Sequence, residues 1–367
     1  MPNIDFPTSP SVNQTYTFNG KTWIWTGTAW ISTASTNPLA ASAGGTGQSS
    51  YTAGDVLYAS GTAALSKLSA GTNSYILRTN GSGSAPSWET QGIFSAGRLT
   101  LESGVPVSTT DQTSKTTIYY TPYNGDKISL YDGTSWATYL FTERSLALGT
   151  LTSGLNYDVF LYNNSGTLTL ELTAWSSDTA RVTSLVMTNG VYLKSGALTR
   201  RYLGTIRTTS TTTTEDSNSK RFLWNYNNRV NRMLLKQYVA SSWTYATANT
   251  YRYLGNNSAN SVAFVNGVQE DNIFIVASVG SAGSGIQRQL AIGFDAEWST
   301  SLAGNSTSQY EATAVQAEAS NESYQSFANR IAGLGYHVAY ALELQNSATT
   351  VTYFGGIEAG ISGNWRC

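Results

Sequence analysis

Charged residues are scarce in this chain. They make up 12% of its 367 residues, against about 25% in an ordinary soluble domain. The net charge is −1, which gives no electrostatic basis for nucleic-acid binding, because that binding depends on lysine and arginine neutralising phosphates. A single histidine and a single cysteine exclude a histidine-rich metal site within one subunit and an intrachain disulfide framework.

Long apolar runs are also lacking. No stretch approaches the length of about 18 consecutive apolar residues that a membrane helix needs, and the first residues show no basic region followed by an apolar run. We therefore expect neither membrane insertion nor a secretory signal. What the chain does contain is 49 threonines, 46 serines, 34 glycines, 23 tyrosines and 10 tryptophans. Threonine and aromatic residues favour strands and glycine favours turns, so the composition predicts a soluble, mainly β protein.

The first 92 residues predict two regions. Residues 1–35 form a small attachment hairpin, in which Asn19 and Gly20 stand between aromatic residues and tolerate the positive φ angles of a tight turn. Recurring aromatic pairs around the glycines there fit either a sugar platform or, as we favour, a miniature core. Residues 36–92 are rich in glycine and serine and have too little apolar mass to fold alone. This segment is either a flexible linker or a fibre segment that gains its core by intertwining with copies of itself, and its short strand pieces favour the second.

The remaining residues predict two larger domains, a central β domain at 93–237 and a C-terminal β-sandwich, jelly-roll-like, at 238–367. Leu168, Leu170 and Leu172 alternate with polar residues, the period of a strand with one buried face. A weak helix is expected after Asp216. In the C-terminal region, runs separated by glycine- or asparagine-rich turns predict several strands: 262–265, 273–279, 290–294, 336–344 and 351–354.

Several of these stretches resemble proteins of tailed bacteriophages. The Gly-Gly-Thr-Gly sequence at 44–47, followed by 54–58, resembles the repeat of tailed-phage fibres, and residues 7–23 look like a hairpin module common in phage structural proteins. Other stretches are similar to a domain of predicted phage fibre and virion proteins: 117–123, 145–154, 156–160 and 200–205. The resemblance implies a virion protein, assembled in the host bacterial cytoplasm, that contacts other virion structural proteins. Together with the low apolar content of residues 36–92, this resemblance leads us to expect a homotrimer.

Aromatic residues of the C-terminal region are the candidates for glycan contact. Their rings offer apolar area at low entropic cost and their polar groups add hydrogen bonds, although any of them can equally belong to the core. The candidates are Trp243, Tyr245, Tyr251, Tyr253, Trp298, Tyr310 and Tyr324. Basic residues concentrate between 200 and 236, where an anionic glycan patch is one interpretation and pairing across subunits or with a neighbouring virion protein is the favoured one. The interface candidates are Arg200, Arg201, Arg221, Arg229 and Arg232.

Catalytic signals are weak. Asp295 and Glu297 would share a strand face roughly 6.5 Å apart, which touches the spacing of inverting glycosidases, but a solvated strand end is the favoured interpretation. By strand parity, His337 lies opposite a stripe that includes Tyr336, Val338 and Tyr340, and we expect it to be structural. We therefore assign no catalytic residue, no metal and no cofactor.

These observations predict a non-enzymatic tail-fibre or adhesin component of a tailed-phage virion. It would attach to virion partners and to host cell-surface glycans, without nucleic acid. Two alternatives stay open: a capsid-surface fibre or decoration protein, and a polysaccharide-cleaving tailspike, which the scarcity of carboxylates makes less favoured.

Overall fold

The computed structural model of the chain describes residues 4–33, 45–72, 75–238, 241–283, 285–295 and 322–367. Their secondary structure is almost entirely strand and turn, which confirms the predicted mainly β fold class. The chain divides into two compact units, Met1–Gly92 and Ile93–Cys367.

The described residues of the first unit form short strands. Within the described residues they are β1 Thr15–Phe18, β2 Lys21–Trp25, β3 Trp30–Ser32, β4 Val56–Gly61, β5 Ala64–Leu68, β6 Tyr75–Arg78 and β7 Ser87–Thr90. They form one three-stranded sheet, β1-β2-β3, and two separate two-stranded hairpins, β4-β5 and β6-β7.

The N-terminal hairpin is confirmed, with a third strand added. Asn19 and Gly20 connect β1 to β2 with φ angles of 48° and 75°, as a type I′ turn requires. Phe6 stacks on Trp30 with ring centroids 5.2 Å apart and meets Trp23 edge-on at 5.5 Å. The aromatic residues of this module therefore pack on one another, as expected of a miniature core.

The second unit contains the remaining strands. They are β8 Gly97–Thr100, β9 Gln112–Lys115, β10 Thr117–Pro122, β11 Lys127–Tyr131, β12 Trp136–Leu140, β13 Arg144–Ala147, β14 Asn156–Asn164, β15 Thr167–Ala174, β16 Leu185–Thr188, β17 Val191–Lys194, β18 Ala197–Arg207, β19 Thr214–Asp216, β20 Lys220–Arg221, β21 Leu223–Asn225, β22 Asn231–Tyr238, β23 Trp243–Tyr245, β24 Arg252–Tyr253, β25 Ser261–Asn266, β26 Asn272–Ala282, β27 Arg288–Phe294, β28 Glu322–Ile331, β29 Gly335–Gln345, β30 Val351–Phe354 and β31 Gly356–Arg366. A short 3-10 turn covers Leu254–Asn256.

One hydrophobic core of this unit lies beneath the sheet β15-β14-β18-β17-β16, which we call the central sheet. The predicted alternation is confirmed there, because Leu168 and Leu170 of β15 are buried in that core. The small sheet β13-β10-β8 and the hairpin β11-β12 supply the opposite side, including the fully buried Ile118 and Ile128.

A second core lies between two further sheets, which form a β-sandwich. The seven-stranded sheet has the order β24-β29-β25-β20-β19-β9 with β27 also paired to β29, and the C-terminal sheet has the order β22-β31-β26-β30-β23 with β28 also paired to β26. Apolar side chains from both fill the space between them, among them Phe264, Ile275, Ile292 and the fully buried Trp365. The five strands expected in the C-terminal region are all present, at 261–266, 272–282, 288–294, 335–345 and 351–354.

Two features differ from the sequence-based expectations. No helix follows Asp216, since that stretch forms β20 and β21, which pair with β25 and β18. The division expected between residues 237 and 238 does not separate two compact units. The reason is that strands from before the expected boundary pair with strands from after it. The strands β9, β19 and β20 belong to the same seven-stranded sheet as β25 and β29, and β22 pairs along its length with β31.

Candidate functional site

An open groove lies on the face of the seven-stranded sheet that is turned away from the sandwich core. Its volume is about 340 Å³, within the range of about 300–1,000 Å³ typical of small-molecule sites. We call it the tyrosine groove and define it by its lining residues: Ser219, Lys220, Lys236, Ser258, Ala259, Ser261, Ala263, Tyr336, Val338 and Tyr340.

Strand register explains the shape of the tyrosine groove. Along β29, Val338 and Tyr340 point to the groove face, whereas the alternate residue Ala339 is buried in the sandwich core. The neighbouring strand β25 places Ala263 beside Val338 and Ser261 beside Tyr340. Because these neighbours are small, the ring of Tyr340 stays half-exposed above the sheet.

The ring of Tyr336 is held in place from two sides. The guanidinium carbon of Arg207 lies 3.5 Å from its centroid, and Phe222 meets it edge-on at 5.8 Å. Arg207 is itself anchored, since its Nη1 donates to Asp178 Oδ1 at 2.7 Å and to Asn156 Oδ1 at 3.0 Å. The ring is therefore oriented by packing and charge before any ligand arrives.

The phenol groups of the groove are protonated and open to a ligand. Burial raises the pKa of both Tyr336 and Tyr340 above the ordinary value, so each keeps its proton at neutral pH. Tyr340 also contacts Tyr253, with ring centroids 5.0 Å apart. Within the described part of the chain, no residue hydrogen-bonds the hydroxyl of Tyr336 or Tyr340.

The charges that line the groove are all positive. Lys220 pairs with Glu215, with Nζ 3.3 Å from Oε2. Lys236 is half-buried, and among the described residues no carboxylate lies within ion-pair distance of its ammonium group. No aspartate or glutamate occurs among the lining residues. The groove therefore combines aromatic rings, hydroxyls and excess positive charge.

Three of the predicted glycan contacts are wrong, because their side chains are buried. Tyr245, Tyr251 and Tyr324 are 7%, 3% and 5% exposed. The hydroxyl of Tyr245 donates to the carbonyl of Thr250 at 2.6 Å, and that of Tyr251 donates to Gln289 Oε1 at 2.9 Å. These rings belong to the core, where their polar ends find partners.

The other predicted contacts have mixed positions. Trp243 is half-buried, stacks on Tyr353 with centroids 5.7 Å apart and donates its indole N–H to Glu343 Oε2 at 2.7 Å. Tyr253 lies next to the tyrosine groove through its contact with Tyr340. The remaining two candidates fall outside the described residues: Trp298 and Tyr310.

The predicted basic patch is paired inside the chain. Arg200 Nε lies 3.2 Å from Glu171 Oε2. Arg221 Nη1 and Arg232 Nη2 lie 3.0 and 3.4 Å from the two oxygens of Asp216. Since these partners are intramolecular, the reason for expecting this patch at a subunit interface falls away.

The other two arginines of that set are also engaged. Arg229 binds Asp271 and lies 2.8 Å from Glu270 Oε2. Arg201 is 2% exposed and donates to the carbonyls of Phe94 and Ser129, both at 2.6 Å. Burial lowers the pKa of Arg201 to about 10, which still leaves it charged at neutral pH.

The histidine serves as a connection between strands. His337 Nδ1 lies 2.8 Å from Asp295 Oδ2, and the other oxygen of Asp295 accepts from the backbone N–H of Val338 at 2.8 Å. Asp295 follows the end of β27 with a φ of 52°, so it does not stand on a strand face as the two-carboxylate hypothesis required. Its proposed companion, Glu297, falls outside the described residues.

Sequence reasoning did not identify the groove, although one signal was present. The stripe of Tyr336, Val338 and Tyr340 was correctly placed on one strand face. Its neighbours come from residues 219–220 and 258–263, which the pairing of β20, β25 and β29 brings together, and from Lys236 of β22, which pairs with β31. That pairing is not encoded in any local pattern.

Within the described residues, no group of three or more histidine, cysteine, aspartate or glutamate side chains is arranged to hold a metal ion. None of the helical structure described is long and apolar enough to cross a membrane.

Comparisons with known proteins find only distant structural similarity. No family model and no curated protein matches the chain. Among solved structures, it is similar to the insecticidal delta-endotoxin Cry8Ea1 from Bacillus thuringiensis, with 7% identity and a TM-score of 0.20 over 69% of this chain and 49% of that one. It is also similar to the mosquito-larvicidal Cry4Aa toxin from the same organism, with 9% identity and a TM-score of 0.20 over 71% and 50%. The chain thus spans about half the length of these toxins, and a likeness this weak carries no argument.

Proposed function

We propose that this chain is a structural, non-enzymatic fibre component of a tailed-phage virion. It assembles as a homotrimer through its first unit, attaches there to other virion proteins, and contacts glycans of the host surface through the tyrosine groove of its second unit. The observation that carries this proposal is the uncovered apolar surface of the hairpins β4-β5 and β6-β7.

That surface consists of large side chains on two isolated hairpins. Leu57 of β4 is 37% exposed, and Tyr75, Ile76 and Leu77 of β6 are 39%, 46% and 47% exposed. Because successive residues of a strand point to opposite faces, β6 offers apolar groups on both of its faces. Two-stranded hairpins are marginal alone, and exposed apolar patches mark interaction sites. Copies of the same chain would supply the missing core.

The tyrosine groove supports a saccharide as the ligand of the second unit. The C–H face of a sugar ring packs well on an aromatic ring, while its hydroxyls need hydrogen-bond partners. Tyr336 and Tyr340 offer both a ring and an unpaired hydroxyl within the described structure. Glycosidic bond cleavage would need a carboxylic acid at the site, and the described lining contains none, which supports binding rather than hydrolysis.

Native mass spectrometry of the full chain tests the assembly. We expect a particle of three chains, each of 39.4 kDa. Replacing Ile76 and Leu77 together by asparagine removes apolar contact area from the proposed interface, so this variant shifts towards the monomer. A matched control is Leu140→Asn, since Leu140 is 69% exposed on the second unit. This control is expected to form the same three-chain particle as the wild type. A monomeric wild-type chain at micromolar concentration contradicts the proposal.

A further inference from the structure

We infer that the tyrosine groove selects saccharides that carry an anionic substituent, such as a carboxylate or sulfate on the sugar ring. This inference rests on the proposed function and adds the chemical class of its ligand. The sugar ring packs on Tyr340, and the anionic group lies between the ammonium groups of Lys236 and Lys220.

The positive charge of the groove is available for a ligand. Lys236 lines it without an ion-pair partner among the described residues. Among the described residues, Lys220 pairs with Glu215; 47% of the lysine side chain and 13% of the glutamate side chain are exposed, so the ammonium group stays accessible from the solvent side. An anion in the groove would therefore contact Lys236 directly and Lys220 from its solvent side, with the Lys220–Glu215 pair left in place.

Two acidic residues outside the lining, Glu215 and Asp295, are already engaged. Glu215 Oε2 lies 3.3 Å from Lys220 Nζ, and its Oε1 accepts from the hydroxyl of Ser217 at 2.7 Å. Asp295 interacts electrostatically with Tyr336 and Tyr340. However, its two carboxylate oxygens already accept hydrogen bonds from the Val338 backbone and contact His337. An incoming carboxylate beside Lys236 thus meets an ammonium group that no described carboxylate pairs, together with neutral hydroxyls.

The polar residues of the groove match the rest of a sugar ring. Ser219, Ser258 and Ser261 line it beside Lys220. The hydroxyl of Ser261 donates to the carbonyl of Ser258 at 3.0 Å, which leaves the oxygen lone pairs of Ser261 free to accept from a sugar hydroxyl. The pairing of β25 with β29 holds Ser261 beside Tyr340, so this polar contact and the aromatic ring are arranged in advance.

Nucleic acid and acidic peptide also carry negative charge, but they fit less well. Nucleic-acid binding needs many phosphate contacts along a basic track, whereas this groove has two lysines and the chain has a net charge of −1. A peptide that adds to a sheet needs an open strand edge, and the groove lies on a sheet face. These ligands are therefore outcomes of the test.

Affinity electrophoresis of the full chain through gels that contain carboxymethyl-dextran, dextran sulfate or neutral dextran tests the inference. We expect retardation by at least one anionic polymer and little by neutral dextran. Lys236→Gln weakens the anionic interaction about fivefold, and Tyr340→Ala weakens it about tenfold, whereas Tyr340→Phe retains the ring and most of the binding. The control Lys127→Gln removes the same charge from an exposed position in β11 and leaves the binding unchanged.

Four results overturn the inference. They are equal retardation by neutral dextran, no retardation by either anionic polymer, an equal effect of Lys127→Gln and Lys236→Gln, and tighter binding of a single-stranded oligonucleotide or a polyglutamate peptide. The two anionic polymers distinguish a carboxylate-bearing from a sulfate-bearing ligand. None of these outcomes changes the native mass of the particle, so the failure of this inference and that of the proposed assembly are told apart.

Discussion

Removing a single buried charge should destabilise the second unit strongly. Asp158 is 1% exposed, and its carboxylate accepts from Arg181 Nε at 2.6 Å, Arg181 Nη2 at 3.1 Å and Thr205 Oγ1 at 2.8 Å. Arg181 reaches further, since its Nη2 also donates to the Gly267 carbonyl at 2.6 Å. The pair therefore connects the central sheet to the loop after β25.

The magnitude follows from what each variant leaves behind. Removing one partner of a buried ion pair costs about 3–5 kcal/mol. Asp158→Asn falls at the lower end, about 3 kcal/mol, because Arg181 keeps the Gly267 carbonyl and its stacking on Trp175, 4.4 Å from the ring centroid. Arg181→Met falls at the upper end, about 4–5 kcal/mol, because it leaves a carboxylate without a counter-charge. The double variant costs less than the sum of the two by about 2 kcal/mol or more.

Equilibrium urea unfolding at pH 7, followed by tryptophan fluorescence, measures these costs. The control Arg366→Gln removes an arginine that is 55% exposed and 3.7 Å from Asp271, and it changes the free energy of unfolding by less than about 0.5 kcal/mol. If Asp158→Asn costs no more than this control, or if the double variant equals the sum of the singles, the proposed role of the buried pair is refuted.

Further predictions concern packing, pH and thiol reactivity. Gly204→Ala places a Cβ 2.1 Å from the carbonyl oxygen of Trp224, so it lowers the midpoint of urea unfolding by a margin equivalent to about 3 kcal/mol. The control Gly92→Ala adds a Cβ that meets nothing within 4 Å and leaves the midpoint unchanged. Equal midpoints for the two variants contradict this prediction. Burial raises the pKa of Glu343 to about 7, above its unfolded value of about 4.3. Between these two pKa values the folded state holds a proton that the unfolded state releases. The contribution of Glu343 to the free energy of unfolding is therefore greatest below about pH 4.3 and falls by about 3 kcal/mol towards pH 7. Unfolding measured across that pH range should show no such fall in Glu343→Gln. Burial also raises the pKa of the Cys367 thiol to about 12, so a chromogenic disulfide reagent should label it only on unfolding, and rapid labelling of the folded chain would contradict this.

Local patterns were sufficient for the strands and turns. The Asn19-Gly20 pair and the alternating leucines of β15 carry their structure in a few neighbouring residues. The stretch after Asp216 shows the limit of such patterns, since its weak helical signal is overridden by pairing with β18 and by the hydrogen bonds of Arg221 to the carbonyl of Met233. Pairing between strands far apart in sequence, such as β20 and β25, also joins the two regions that were expected to be separate domains on either side of 237/238.

The site was less predictable because aromatic residues serve core and surface alike. Tyr245 and Tyr324 looked like surface rings by composition, but strand parity and packing bury them. Similarly, the arginines between 200 and 236 find carboxylates such as Glu171 and Glu270, which lie 29 and 41 residues away from their partners Arg200 and Arg229. The Tyr336–Tyr340 stripe combined a period that is readable from the sequence with two half-exposed rings.

Immunogold labelling of this chain on purified virions of the phage that produces it, viewed by electron microscopy, tests the central claim most directly. The proposal predicts gold particles on the tail, at the ends of its fibres. Label on the capsid surface would instead identify a head fibre or decoration protein, and the absence of label from intact virions would contradict a virion role altogether.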